Sequence, residues 1–126
     1  MLSQSLIDDL LKHAEIGAPE EMCGLLFGEW CWYAPNISKT PCESFEISQE
    51  DFLYARDLHK ASPWAIVHSH PGKSAAPSTG DCLLMDAFAK IGYPMQLVIV
   101  GLEPKEIRCY KRVGDVYGLE WKHVVP

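Results

Sequence analysis

Three features of the sequence predict a mixed α+β domain built on a mainly antiparallel sheet covered by helices. The chain opens with an amphipathic helical repeat. Two apolar runs follow, parted by Gly28-Glu29 in the manner of a hairpin. Three further strand-like runs close the chain with no helical pattern between them. The implied order is α, ββ, a short β, α, β, α, βββ, with room for one parallel pair.

Leu2, Leu6, Leu10 and Ala14, flanked by Ile7 and Leu11, recur at helical spacing and predict a helix over residues 3–16, ended by Gly17 and Pro19. Residues 22–28 and 30–34 read as the hairpin strands. After a turn-rich stretch from Pro35 to Pro41, Phe45-Glu46-Ile47 reads as a short strand. Ser48 then caps a helix running to Lys60, with Glu50 and Asp51 suited to its positive end. Residues 64–69 form a strand apolar on both faces. The loop 71–77 leads into a helix over 78–91, whose buried stripe is predicted at Leu84, Ala87, Phe88 and Ile91. Residues 95–100, 107–112 and 116–125 give the last strands. Strict alternation would set Tyr117, Leu119, Trp121 and Val125 on one face.

With 126 residues the chain has the size of one domain, expected over residues 1–126, and can bury a core without disulfide or metal. At 48% hydrophobic and 22% charged it falls outside the disordered class. The net charge of −6 argues against nucleic acid or an anionic membrane as partner, since both demand a basic face. No apolar run approaches the about 20 residues that cross a bilayer. Met1 to Ile16 lacks a basic start and a cleavage site, so no export signal is expected. Five cysteines without a CxxC pair then predict reduced thiols in the cytoplasm.

The informative segment is His68-Ser69-His70-Pro71, followed after seven intervening residues by Ser78-Thr79-Gly80-Asp81. Histidines two apart at a strand end project from the same face. Pro71 keeps His70 extended, and Asp81 falls in the first turn of the next helix. Two imidazoles and a carboxylate leave a fourth position open, the pattern of a catalytic zinc site. Ligand type alone does not separate zinc from iron or manganese. Such chemistry needs a proton carrier, and Glu21 is the candidate because it leads into an apolar strand where burial would raise its pKa. Glu20 is equally eligible by type. Ser78 is the candidate donor to a developing oxyanion.

Glu21, His68-x-His70, seven residues, then Ser78-x-x-Asp81 resembles the motif of the JAMM (MPN-plus) metalloproteases, with every position filled. The resemblance covers nearly the whole chain. It implies a curved mixed sheet packed between helices and a zinc peptidase or isopeptidase holding one Zn2+ per chain. It also implies His68, His70 and Asp81 as metal ligands, Glu21 as general acid/base and Ser78 as oxyanion donor. Glu21 is preferred to Glu20 because it stands two residues before Cys23-Gly24, where the family's glutamate lies. A narrower resemblance rests on Pro35-Asn36-Ile37-Ser38, Phe45-Glu46-Ile47-Ser48, Asp51 and Ile66-Val67-His68-Ser69-His70-Pro71. These are similar to the N-terminal peptidase half of phage tail-tip assembly K proteins. It implies a protein or peptide substrate and phage tail proteins as partners. Those proteins usually carry an NlpC/P60-type second half, so this chain is expected to be a stand-alone version or part of a larger product. It also lacks the long insertions with which eukaryotic relatives grip ubiquitin.

Blander readings stand beside these. Ser78-x-x-Asp81 is also a helix capping box, and a serine can cap while facing a metal. Cys23 and Cys82 adjoin site residues but have no base placed to activate them. Two other functions compete: a non-catalytic tail-assembly module, and processing of bacterial ubiquitin-like sulfur carriers.

Overall fold

The computed structural model describes residues 2–93 and 95–126. Its elements are α1 (Gln4–Gly17), β1 (Cys23–Phe27), β2 (Trp30–Ala34), α2 (Gln49–His59), β3 (Ala65–His70), α3 (Thr79–Lys90), β4 (Gln96–Leu102), β5 (Lys105–Val113) and β6 (Val116–Val124). Six strands form one sheet in the order β2-β1-β3-β4-β5-β6. The β3–β4 pair is parallel and the other four pairs are antiparallel. The mixed, mainly antiparallel sheet between helices is therefore the architecture the sequence predicts.

Each helix starts where a serine can satisfy a free backbone N–H. Ser3 caps α1 by accepting from the Leu6 N–H, and Ser48 caps α2 through the Asp51 N–H. Helix α1 lays Leu6, Ile7, Leu10 and Ala14 on one sheet face, against Val67, Val98, Val100, Ile107 and Cys109. On the other face Leu25, Ile66 and Met95 pack with Phe52 and Ala55 of α2 and Leu84 and Phe88 of α3. Met85 extends that layer over Leu97, Ile99 and Tyr110. Strand β3 lies third of six and is buried along its whole length, which explains its apolar run on both faces. Among the described residues no helix is long and apolar enough to cross a membrane.

Three local expectations are corrected. Residues 45–47 form no strand: the Glu46 N–H goes to the Asn36 side chain and the Glu46 carbonyl accepts from Ile37, so no ladder is built. The buried stripe of α3 runs through Asp81 and Met85, while Ala87 is exposed and Ile91 is 74% exposed. The helix stops at Lys90, so Ile91 no longer follows its period. On β6, Leu119 pairs with Tyr110 but Trp121 pairs with Cys109, leaving Glu120 as an extra residue. That bulge flips the alternation. Tyr117 joins the α3 side, and Trp121 packs on the α1 side.

The hairpin that joins β1 to β2 depends on a close approach at Gly24. A Cβ there would meet the Trp32 carbonyl oxygen at 2.8 Å and the Cys31 Sγ at 2.9 Å. Gly24→Ala is expected to destabilise the protein by about 1–3 kcal/mol, the usual penalty of overpacking. Urea unfolding of both proteins measures it, and equal midpoints would show slack in the hairpin.

Candidate metal centre

Register assembles the site. Cys23 of β1 pairs with His68 of β3, and the Ser69 N–H donates to the Met22 carbonyl. Continuing that antiparallel register by two residues sets Glu21 opposite His70. Ser69 Oγ accepts from the Met22 N–H at 2.8 Å, tying down the segment that carries Glu21. On the same strand His68 and His70 share a face, as the period of two requires. The loop after β3 then returns the chain so that α3 begins beside them.

His68 Nε2 and His70 Nε2 are 3.1 Å apart. Asp81 Oδ1 lies 2.9 Å from the first and Oδ2 lies 3.3 Å from the second. All three side chains are buried. A tetrahedral zinc ion with N and O bonds of about 2.0–2.1 Å sets its ligands about 3.3 Å from one another, so this donor set fits that ion in chemistry and spacing. Glu21, His68 and His70 also bring ligand atoms within 4.8 Å of one another, a second grouping able to hold a metal. Asp81 approaches both imidazoles more closely than that limit.

The surroundings set the charge states. Burial works against ionised Asp81, but hydrogen bonds from His68 and His70, and one from the Ser78 N–H, outweigh it and hold the carboxyl far below its ordinary value. Burial pushes the His68 imidazole down, favouring its neutral, ligating form. His70 is also disfavoured as a cation by burial, yet its hydrogen bonds to Asp81 and to the Ser74 carbonyl raise it overall. Burial raises Glu21 above the usual carboxyl value, with His70 opposing and Asp81 reinforcing. Burial also pushes the Cys23 thiol up to about 12 and raises Cys82, so neither is poised as a thiolate at neutral pH.

Ser78 is the N-cap of α3. Its Oγ accepts from the Asp81 N–H at 3.1 Å, while its own N–H donates to Asp81 Oδ2 at 2.9 Å. The capping box therefore exists, and it aims Asp81 at the histidines. Ser78 shares one cleft with Glu21, Asp81, Glu43, Phe45 and Leu83.

Two supporting side chains carry no signal that short-range sequence reasoning registers. Phe45 stacks on the His68 ring with centroids 4.4 Å apart and planes 23° apart. Asn36 donates to the carbonyls of Glu21 and Ser44, each at 3.0 Å, and accepts from the N–H groups of Ser38 and Glu46. Together with the 2.7 Å bond from the Glu21 N–H to the Pro41 carbonyl, it fastens the 35–47 loop over the site. A Pro-Asn pair in a turn announces a turn, but not which distant strand the turn will clasp.

Comparison with known proteins bears on the family and the fold. Over 90 residues the chain is 36% identical to the tail tip assembly protein K of Escherichia phage N15. The alignment takes in 68% of this chain, which spans only 36% of the length of that relative. The solution structure of a Desulfitobacterium hafniense protein matches with a TM-score of 0.75 and 26% identity, over 94% of this chain and 88% of that one. Residues 3–113, from the cap of α1 to the end of β5, match the prokaryotic homologues of the JAB domain, and the chain belongs to that family.

Proposed function

We propose that this protein is a zinc-dependent metallopeptidase or isopeptidase of the JAMM type, one domain acting on a protein substrate during phage tail-tip assembly. The observation that carries the reading is the convergence of His68, His70 and Asp81 at the end of the central strand, with buried Glu21 beside them. His68, His70 and Asp81 would hold the ion. Zinc bound in such a site supplies a Lewis acid and lowers the pKa of water to about 7.

This chain's own residues supply the rest. Glu21, its carboxyl raised by burial, takes a proton from water in the cleft and returns it to the leaving nitrogen. Asp81 stays ionised, so it does not compete for that proton. Ser78 Oγ accepts from the helix backbone and keeps its own hydrogen to donate toward an oxyanion in the same cleft. The tail context is supported by the similarity to tail tip assembly protein K; in that context the protein works in the host cytoplasm or the virion tail, with tail proteins as partners.

Elemental analysis of protein purified without chelator tests the site. About one zinc per chain is expected in the wild type and in Glu21→Gln, and none in Asp81→Ala. With zinc retained, Glu21→Gln should slow cleavage of tail-tip protein by about 10²-fold or more, the range of a lost acid/base group. No zinc in the wild type, even when zinc is offered, would leave a docking module of tail assembly instead.

Asp81 also predicts the acid behaviour of the metal-free protein. Its folded-state pKa lies below the unfolded value of about 4, so near and below pH 4 the unfolded chain binds the extra proton. Its contribution is present above that pH and is lost as pH falls further. Asp81→Asn should flatten this acid limb in urea titrations between about pH 5 and pH 2. An unchanged slope would show the carboxylate to be unstabilised.

A further inference from the structure

We propose that Glu106 of β5 is a positioning residue for His70, acting through the single peptide unit between Ser74 and Ala75. The inference rests on the metal-site reading above. His70 Nδ1 lies 2.9 Å from the Ser74 carbonyl oxygen. A carbonyl only accepts, so Nδ1 carries a hydrogen, and in the neutral imidazole Nε2 is then the nitrogen whose lone pair faces the site. His68 has no such guide, because its Nδ1 is buried without a partner. The orientation of His70 therefore depends on where one carbonyl points.

That carbonyl belongs to the same planar unit as the Ala75 N–H, and across a trans peptide the two point in opposite directions. The Ala75 N–H donates to Glu106 Oε1 at 3.3 Å. Holding the N–H on one side aims the carbonyl at His70 on the other. Two further contacts restrict the unit. On the next peptide unit, the Tyr110 hydroxyl donates to the Ala75 carbonyl at 3.3 Å and so holds Ala75 from its far side. Gly101, which pairs with His70 in the β3–β4 register, lies directly against the peptide. A Cβ on Gly101 would sit 2.5 Å from Ala75 N and 2.7 Å from the Ser74 carbonyl carbon.

Glu106 is 4% exposed, an expensive place for a carboxylate unless it is paired. Arg108 pairs it, with Nη2 2.8 Å from the same Oε1, and also donates to the Tyr110 hydroxyl at 3.2 Å. Glu106, Arg108 and Tyr110 lie at every second position of β5, so all three address the loop from one face. An apolar residue would fill the site at lower desolvation cost. What it would not supply is an acceptor for the Ala75 N–H.

The test uses the full chain and two readouts. Long-range 1H–15N correlation on metal-free protein, at a pH alkaline enough for the imidazole to be neutral, reads the His70 tautomer, and competition with a chromophoric chelator reads the zinc dissociation constant. Glu106→Ala is expected to mix the tautomers and to weaken zinc about 10–100-fold, the usual loss when a ligand's outer partner is removed. Glu106→Gln keeps an acceptor oxygen and should stay within about threefold of wild type with its tautomer intact. Gly101→Ala keeps the Glu106 carboxylate but crowds the same peptide, and should reproduce both changes. Glu106→Ala that folds with the wild-type tautomer and zinc affinity would overturn the proposal. Should it fail to fold, Gly101→Ala with wild-type values does so instead. Absence of zinc binding by the wild type would sink the metal-site reading alone, since the tautomer comparison on metal-free protein still decides the role of Glu106.

Discussion

The structure turns on a buried carboxylate. Asp81 accepts from the Ser78 N–H, so it belongs to the cap of α3, and it also meets both imidazoles of the β3 terminus. An ionised carboxylate out of water is costly unless its oxygens are matched, and here Ser78, His68 and His70 match them. The first turn of α3 adds the favourable end of a helix dipole. The helix start and the strand end are therefore fastened to each other by polar atoms, at a place where packing alone would fix neither so closely. The cleft beside Ser78 lies at that junction.

Strand β3 can deliver its histidines because of where it lies. With β1 antiparallel on one side and β4 parallel on the other, its backbone is held on the β1 edge as far as Ser69 and paired with β4 up to His70. The parallel crossover from β3 to β4 runs through α3, so the element carrying Asp81 must start at the end of β3, where the histidines are. Glu21 reaches the same point through the antiparallel register of β1. One topology thus gathers residues 21, 68, 70 and 81 without any of them being adjacent along the chain beyond the His-x-His pair.

Much of this was legible because it is local. Helical spacing marked α1, serines followed by acidic residues marked the starts of α2 and α3, and the doubly apolar run marked β3 as central. The grouping of Glu21, His68, His70, Ser78 and Asp81 came from motif spacing, and the structure sets these residues around one cleft or within hydrogen-bonding reach of one another. Failures were non-local. Residues 45–47 have a strand's composition but lose their ladder partners to Asn36. The Glu120 bulge shows only in the pairing with β5, so period-two reasoning put Tyr117 and Trp121 on one face when they lie on opposite ones. Neither Phe45 nor Glu106 has a neighbour in sequence that hints at His68 or at the loop after His70.

The two imidazoles are oriented by different physics, and this bears on how the site tolerates change. His70 is directed by a hydrogen bond, through a peptide gripped by β4 and β5. His68 is directed by shape, its ring stacked on Phe45 from the 35–47 loop and its Nδ1 without a partner. A hydrogen bond fixes tautomer as well as direction, whereas stacking fixes the ring plane and leaves the proton position to the site itself. With its hydrogen on Nε2, 2.9 Å from Asp81 Oδ1, His68 needs no acceptor at Nδ1. Such an arrangement keeps the metal-free site satisfied without a second buried acceptor. Its burden falls on two loops outside the regular elements, the first fastened by Asn36 and the second by Glu106 together with Tyr110.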